Sequence, residues 1–283
     1  MDKNTQQTIK PGLYIVSTPI GNLEDITFRA INLLKKSDLI LCEDTRRSLK
    51  LLSSFEIKNK LFPYHKFNEK KATDKIINLI KKNKIISLIS DSGTPIISDP
   101  GRILVNKCIE EKIDVYPVPG ASAVTSAISI AGFKDQYLFY GFLPKKEKEI
   151  ESILNNISNI NYSIVFFVPA VKINYYLSKF KKYFTSRKIL IAKEMTKIHE
   201  EYFRGKIELI QNLAETLKGE LTVVISEKIG QKNVKKEINE SVKIEIKKML
   251  KKYSHKDVVD FFSKKENLPK KIVYDFCLKI KNK

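Results

Sequence analysis

Tryptophan is absent from the 283-residue chain, and cysteine is scarce. The three cysteines, Cys42, Cys108 and Cys277, are far apart and odd in number, which argues against a disulfide framework and against a metal site. We expect all three to be buried, unreactive thiols. No apolar run approaches the roughly 20 residues that a transmembrane helix needs, and the polar stretch 1–10 lacks a signal-peptide core. The sequence therefore predicts a soluble, cytoplasmic protein with no membrane association.

Two common phosphate-binding motifs are missing as well. No G-x-G-x-x-G follows the first predicted strand, and no P-loop lysine motif occurs anywhere in the chain. A nucleotide phosphate is therefore not the obvious ligand.

Three turn segments follow apolar runs that are typical of buried strands. They are STPIGNL at 17–23, SDSGTP at 90–95 and PVPGASA at 117–123, and each combines glycine and proline with small hydroxylated residues. The ends of parallel strands meet at one edge of a sheet, where α/β proteins bind small ligands. We therefore expect the three loops to form one site. A ligand with an adenosine-like part and an amino-acid part would suit its chemistry.

The net charge of +20, from 52 basic against 32 acidic residues, favours an anionic partner. Nucleic acid is the commonest such partner, and a general bias toward lysine is the alternative explanation. Only six basic residues are arginine, so that bias explains the adjacent pair Arg46 and Arg47 less well. Four aromatic residues interleaved with basic ones could stack on bases or pack in the core: Tyr64, Tyr137, Phe139 and Tyr140.

Strands and helices alternate along the first part of the chain. Apolar runs predict strands at 13–17, 38–42, 85–89 and 114–116, with helices between them. This alternation predicts a parallel sheet in an N-terminal α/β domain, residues 11–133. The second domain, 134–230, is predicted to be α+β with a mixed sheet.

The second predicted domain contains strands at 163–168, 188–192 and 221–226 and helices at 171–182 and 207–217. The final segment, 231–283, forms a third domain with 16 lysines against 7 acidic residues. Three helices are predicted there, at 241–253, 255–264 and 270–281. A helix-turn-helix-like module and a basic helical tail packed on the main body are the two interpretations of this segment.

The order and spelling of several segments resemble the tetrapyrrole methylase family, whose members use S-adenosylmethionine. The closer resemblance is to one branch, the ribosomal RNA small-subunit methyltransferase I family, which methylates a cytidine 2′-hydroxyl. It covers about residues 11–226, and the basic end is similar to the small helical domain that follows in this branch. The principal matching segments are GLYIVSTPIGNLEDIT at 12–27, EDTR at 43–46, SDSGTPIISDPG at 90–101, PGASA at 119–123 and KEMTK at 193–197.

The resemblance implies the two-domain tetrapyrrole-methylase fold, a site between the two domains and a homodimer. It implies S-adenosylmethionine as methyl donor and small-subunit (16S) ribosomal RNA, free or in the assembled subunit, as substrate. The reaction would be 2′-O-methylation of a cytidine ribose. The implied cofactor contacts are Pro19, Ser92, Gly93, Thr94, Ile97, Ser122, Ala123, Val168 and Met195.

A ribose hydroxyl is a poor nucleophile until it loses its proton, so a nearby base would help methyl transfer. Three residues in matching segments are candidates: Asp44 in EDTR, His65 in the further match YH at 64–65, and Glu194 in KEMTK. Each also has a structural explanation, and Asp44 is equally suited to cap the helix that begins beside it. We expect Arg46 and Arg47 to hold RNA phosphate, because arginine offers a forked pair of donors.

One stretch departs from the branch. Where its members usually carry an aromatic-Glu-Ser-Pro-His-Arg sequence, this chain has FVPAVK at 167–172. Two alternatives therefore stay open: a methylase of a tetrapyrrole precursor, which needs no basic tail, and an RNA-binding protein without activity.

Overall fold

The computed structural model describes residues 9–214, 219–228, 238–266 and 268–281. The strands are β1 (Gly12–Val16), β2 (Leu39–Cys42), β3 (Leu61–Pro63), β4 (Ile85–Leu88), β5 (Val115–Val118), β6 (Tyr137–Phe142), β7 (Ser163–Pro169), β8 (Lys188–Lys193), β9 (Glu201–Lys206) and β10 (Glu220–Ile225). The helices are α1 (Phe28–Lys36), α2 (Thr45–Ser54), α3 (Glu69–Lys81), α4 (Arg102–Glu110), α5 (Ala123–Ala131), α6 (Glu147–Ile157), α7 (Ile173–Tyr183), α8 (Glu240–Leu250), α9 (His255–Lys265) and α10 (Lys270–Lys281).

The first sheet is parallel throughout, in the order β3-β2-β4-β1-β5. Its strands read as apolar runs because hydrophobic clusters cover both faces. On β1, Leu13 belongs to one cluster and Tyr14 to the cluster on the other side. All five strands point the same way, so the loops after β1, β4 and β5 leave the sheet at one edge.

The second sheet is mixed, in the order β6-β7-β10-β8-β9, with only β6 and β7 parallel. One face carries an aromatic core around Phe166, Phe180 and Phe184. A second hydrophobic cluster of this sheet contains Val124 and Ala127 of α5, which pack against residues of β7, β8 and β10. The loop that begins α5 is thereby held over the second sheet. The expected α/β fold, with a parallel and a mixed sheet and a helical end, is confirmed.

The helix expected at 207–217 is wrong over its described part. Only Ile207–Leu209 forms a short 3-10 turn, 210–214 has no regular structure, and 215–217 lie outside the described residues. The Asn174 side chain accepts a hydrogen bond from the Leu213 N–H and donates one to its carbonyl, both at 2.9 Å. This tertiary pairing takes the backbone groups that a helix would have used.

Both sheets lie in one compact unit, Met1–Lys228, and α8 to α10 lie in a second, Ile229–Lys283. The second unit has its own core, which includes Ile246, Val258 and Phe262. Phe261, next to Phe262 on α9, is 47% exposed. The three cysteines are buried as expected. Within the described ranges, no helix has the length and apolar character needed to cross a membrane.

Candidate active site

The three predicted loops meet directly at the edge of the first sheet. Thr18 and Gly93 exchange backbone hydrogen bonds of 2.8 and 3.1 Å, which joins the loop after β1 to the loop after β4. The Ser17 and Thr94 hydroxyls are 2.9 Å apart, and the Thr94 hydroxyl donates to the Ala121 carbonyl at 3.2 Å. A single hydrogen-bonded group therefore links three segments that are distant in sequence.

The loop after β1 also contacts the loop that follows β8 in the second sheet. The Asn22 N–H donates to the Thr196 hydroxyl at 3.0 Å. A Cβ added to Gly21 would lie 2.6 Å from the same hydroxyl and 2.8 Å from the Met195 carbonyl, so only glycine allows this approach. The half of the first unit that contains the first sheet therefore contacts the half that contains the second sheet at this point.

Between these loops and the second sheet lies a cavity of about 830 Å³. Its size is within the range of small-molecule and cofactor sites. The first half supplies Ile20, Glu43, Arg47, Asp91, Ser92, Gly93, Thr94, Ile97, Ser98, Asp99, Ser122, Ala123 and Val124. The second half supplies Phe142, Phe167, Pro169, Ala192, Glu194, Met195, Lys197, Gly219, Glu220 and Thr222.

Two loops present apolar side chains to the cavity through an unusual backbone. Ile96 and Ser98 have φ of 75° and 72° on either side of Ile97, and Glu194 and Thr196 have φ of 50° and 66° on either side of Met195. Left-handed backbone is costly for residues other than glycine, above all for β-branched isoleucine. Such strain concentrates at functional sites, so both loops are shaped for the cavity rather than for stability.

Five carboxylates line the cavity, and only two of them have ion-pair partners among the described residues. Asp91 pairs with Arg47 at 3.2 Å and Glu194 with Lys197 at 2.9 Å. The other three are Glu43, Asp99 and Glu220. In an enclosed space, uncompensated carboxylates create a negative potential that favours a cationic ligand.

Asp99 responds both to its burial and to the neighbouring carboxylates. Burial, followed by the charges of Glu43, Asp91 and Glu220, raises the pKa of Asp99 to about 6. Burial and the charge of Asp91 also raise the pKa of Glu43. Titratable groups perturbed in this way by a cleft and its neighbours are characteristic of functional sites.

A family model described as Tetrapyrrole (Corrin/Porphyrin) Methylases matches residues 12–211, which include both sheets and all the loops of the cavity. The chain belongs to the tetrapyrrole methylase family. This match confirms the family expected from the sequence, and it covers the unit that contains the cavity.

Within the tetrapyrrole methylase family, the curated relatives carry the name Ribosomal RNA small subunit methyltransferase I. The protein of Thermotoga maritima is 44% identical over 219 residues, which cover 76% of this chain and 98% of that protein. The Rickettsia prowazekii protein is 41% identical over 269 residues, which cover 91% of this chain and 95% of that protein. The Neisseria meningitidis serogroup A protein is 32% identical over 288 residues, which cover 100% of this chain and 98% of that protein. The expected branch is confirmed.

Solved structures of more distant methylases share the fold. Uroporphyrin-III C-methyltransferase from Thermus thermophilus, crystallised with S-adenosylhomocysteine, has a TM-score of 0.53 at 13% identity. It covers 76% of this chain and 97% of its own length. At this identity the likeness shows the shared fold alone.

Most of the residues expected to contact the cofactor line the cavity of this tetrapyrrole methylase, but Pro19 and Val168 do not. Pro19 is buried between the loop contact at Thr18 and the lining residue Ile20. Val168 is 1% exposed and belongs to the aromatic core on the other face of the second sheet. Because strand side chains alternate between faces, the lining positions on β7 are Phe167 and Pro169.

The structure places Asp44 at a helix cap rather than in the cavity lining. Its carboxylate accepts a hydrogen bond from the Arg46 N–H at 2.9 Å and caps α2. Hydrogen bonds from the side chain and backbone of Arg46 lower the pKa of Asp44 to about 2. A carboxyl group with so low a pKa is a weak base at neutral pH.

His65 and Glu194 differ in their relation to the cavity. His65 lies outside the lining, with its ring centroid 6.1 Å from that of Phe67, and its buried Nδ1 has no hydrogen-bond partner among the described residues. Glu194 lines the cavity and also bonds Lys197. Of the three predicted bases, Glu194 alone faces the space that a substrate would enter.

The arginine pair lies in the first turn of α2, at the cavity. Arg47 lines it, and its side chain is 72% exposed; Arg46 is 88% exposed and paired with Asp44. Both guanidinium groups are therefore accessible from solvent.

Sequence reasoning missed several lining side chains. Glu43 and Asp99 lie inside matching motifs, and their positions at the ends of strand loops were a usable signal. Glu220 had no such signal, because its placement depends on the strand order of the second sheet.

Proposed function

We propose that this protein transfers a methyl group from S-adenosylmethionine to ribosomal RNA of the small subunit, in the cavity between the two sheets. One observation carries the proposal: the loops that the family motifs encode join into a single cleft that has uncompensated carboxylates. The names of the relatives support the RNA substrate, and the bound product of the Thermus enzyme supports the donor.

The cavity has the properties that this donor requires. Its apolar wall includes Ile20, Ile97 and Met195, which suit the adenosine part. Asp99 and Glu43 suit the positive charges of the sulfonium and amino groups, because opposite charges in a partly buried site attract strongly. When bound, the donor supplies an electrophilic methyl group that needs no further activation.

The chain's own residues align the reactants and exclude water. The loops flanking Ile97 and Met195 orient the donor, and Glu194 accepts the proton of the attacking hydroxyl at its carboxylate. Glu194→Gln should lower kcat while leaving donor binding intact, and Glu110→Gln, on the exposed side of α4 and outside the cavity lining, provides a control. Equal loss of donor affinity in Glu194→Gln would assign the residue to binding instead.

RNA phosphate binds at Arg46 and Arg47, beside the cavity. The Arg46→Ala protein should methylate RNA less efficiently while binding the donor normally. Unchanged methylation would remove Arg46 from this role. RNA binding should also weaken steeply with salt, since phosphate contacts release counterions.

The assay that tests the function follows tritium from labelled S-adenosylmethionine into purified small ribosomal subunits, their free RNA and a porphyrin precursor. Label in RNA supports the proposal, and label only in the porphyrin would favour the tetrapyrrole-precursor methylase. No label in any substrate and no heat of donor binding would favour an RNA-binding protein without activity.

The finer assignment is a cytidine 2′-hydroxyl as acceptor and a homodimer as the active species. Mapping methylated ribose in RNA from cells with and without the protein tests the first, and analytical ultracentrifugation tests the second.

A further inference from the structure

A second depression adjoins the cavity on the side of β6 and α6. It has a volume of about 530 Å³ and is open to solvent. We call it the β6–α6 groove; its lining is Tyr140, Phe142, Pro144, Lys148, Glu149, Ser152 and Ile153.

Phe142 belongs to both the groove and the cavity. Its ring is 40% exposed, and its centroid lies 5.4 Å from that of Phe167 in the cavity wall. A long ligand that fills the cavity and leaves it on this side therefore passes over Phe142 into the groove.

A β-bulge sets the position of Phe142. The pairing of β6 with β7 shifts register between Phe139 and Gly141, and Gly141 has φ of +79°. Bulges re-aim side chains at the ends of strands. A Cβ on Gly141 would lie 2.9 Å from the Ser98 hydroxyl of the cavity loop, so the bulge packs directly against the site.

The charges of the groove favour an anion at one position. Glu149 is paired with Lys146 at 3.1 Å, which offsets its charge. Lys148 has no carboxylate partner among the described residues. Exposed aromatic faces beside an uncompensated lysine are the features with which proteins hold single-stranded nucleic acid, through base stacking and phosphate contact.

We propose that the β6–α6 groove binds a nucleotide of the RNA substrate next to the one in the cavity, with its base on Phe142 and its phosphate at Lys148. This inference rests on the proposed function and specifies where the substrate strand leaves the site.

The experiment measures the affinity of the full-length protein for a short, fluorophore-labelled single-stranded RNA of mixed sequence by anisotropy. Phe142→Leu and Lys148→Gln are compared with Tyr137→Leu and Lys145→Gln. Tyr137 is the matched aromatic control, because it lies at the other end of β6 with the same 40% exposure. Lys145 is an exposed neighbour outside the groove.

Phe142→Leu should weaken RNA binding about tenfold, as expected for the loss of one stacked base. Lys148→Gln should weaken it less and reduce the salt dependence, while both controls bind like wild type. Calorimetry with S-adenosylmethionine should give unchanged donor affinity for Lys148→Gln. Ultraviolet crosslinking of the same RNA should reach a groove residue, a readout that does not depend on stability.

Affinities equal to wild type in both groove variants would overturn the proposal, as would crosslinks that avoid the groove. If the groove variants changed the sedimentation of the protein but not its RNA affinity, the groove would be a protein interface. None of these results affects the function, which falls only if wild type transfers no methyl group to small-subunit RNA.

Discussion

Asp99 shows how one side chain connects the electrostatics of the cavity to its stability. A carboxyl group whose pKa is raised to about 6 binds a proton more tightly in the folded protein than in the unfolded chain, where the ordinary value is 3.8. The stability of the fold therefore decreases as pH rises between these two values and stays lower above them. We attribute this cost to the proposed function, in which the ionised carboxylate attracts a cationic donor.

Asp99→Asn should raise the free energy of unfolding at pH 7 by about 1 kcal/mol, because each pKa unit corresponds to about 1.4 kcal/mol and solvent screens part of the effect at this half-buried group. The same change should weaken donor binding, because a positive ligand loses a negative partner. Urea unfolding and calorimetry measure the two effects, with Asp74→Asn on the exposed side of α3 as control. A variant that was both less stable and unchanged in donor affinity would contradict this account of Asp99.

The affinity of wild type for S-adenosylmethionine should decrease as pH falls through about 6, because Asp99 then becomes protonated. The Asp99→Asn protein should bind S-adenosylmethionine more weakly, and its affinity should vary less over the same pH range. Calorimetric titrations at several pH values test this, and a pH dependence of equal size in both proteins would exclude Asp99 as its source.

Asp44→Ser should preserve methyl transfer, because serine caps helices as well as aspartate does. Asp44→Ala should lower the melting temperature, because the Arg46 N–H then loses its acceptor. Methyl-transfer rates and melting curves of the two variants distinguish a capping role of Asp44 from a role as general base. Loss of methyl transfer in the serine variant would restore Asp44 as a candidate base.

At the scale of elements, four of the five strands of the first sheet and the loops at its edge followed from sequence, because apolar runs and glycine–proline turns are local signals. The helix α6 is not among the predicted elements, although Ile150 and Leu154 are buried at helical spacing. β3 has only three residues, too few for a period to show. Which face of the sheet Val168 and Phe167 occupy depends on the register of β7. No local pattern in an apolar strand supplies that register.

Gly141→Ala and Gly132→Ala form a matched pair that tests the bulge. Both glycines have positive φ, but a Cβ on Gly132 meets nothing within 4 Å, whereas one on Gly141 meets Ser98. Gly132→Ala should lower the free energy of unfolding by about 1 kcal/mol, through backbone strain alone. Gly141→Ala should cost more and weaken donor binding, as measured by urea unfolding and calorimetry. Equal costs, with donor binding unchanged, would show that the bulge does not support the cavity.

At the scale of the molecule, the cavity lies wholly in the unit Met1–Lys228, while the lysine-rich helices form a separate unit. The Thermotoga relative is covered almost completely by 76% of this chain, so the remainder has no counterpart in it. We therefore expect donor binding to belong to the first unit, and we expect the helices to add to RNA affinity.

A chain that ends at Lys228 should bind S-adenosylmethionine as the full chain does. It should bind RNA more weakly, with a smaller dependence of affinity on salt, because fewer phosphates are neutralised. Calorimetry and anisotropy titrations at several salt concentrations measure these effects. An unchanged salt dependence would show that the helices do not contact RNA.

The most direct test of the cleft as a methyl-donor site is calorimetric titration of S-adenosylmethionine into wild type and Ala123→Trp. Ala123 lines the cavity at the start of α5, and an indole there would fill space that the donor needs. We predict that wild type binds one donor per chain and that the folded variant binds none. Absence of binding by wild type, or equal binding by the variant, would contradict the assignment.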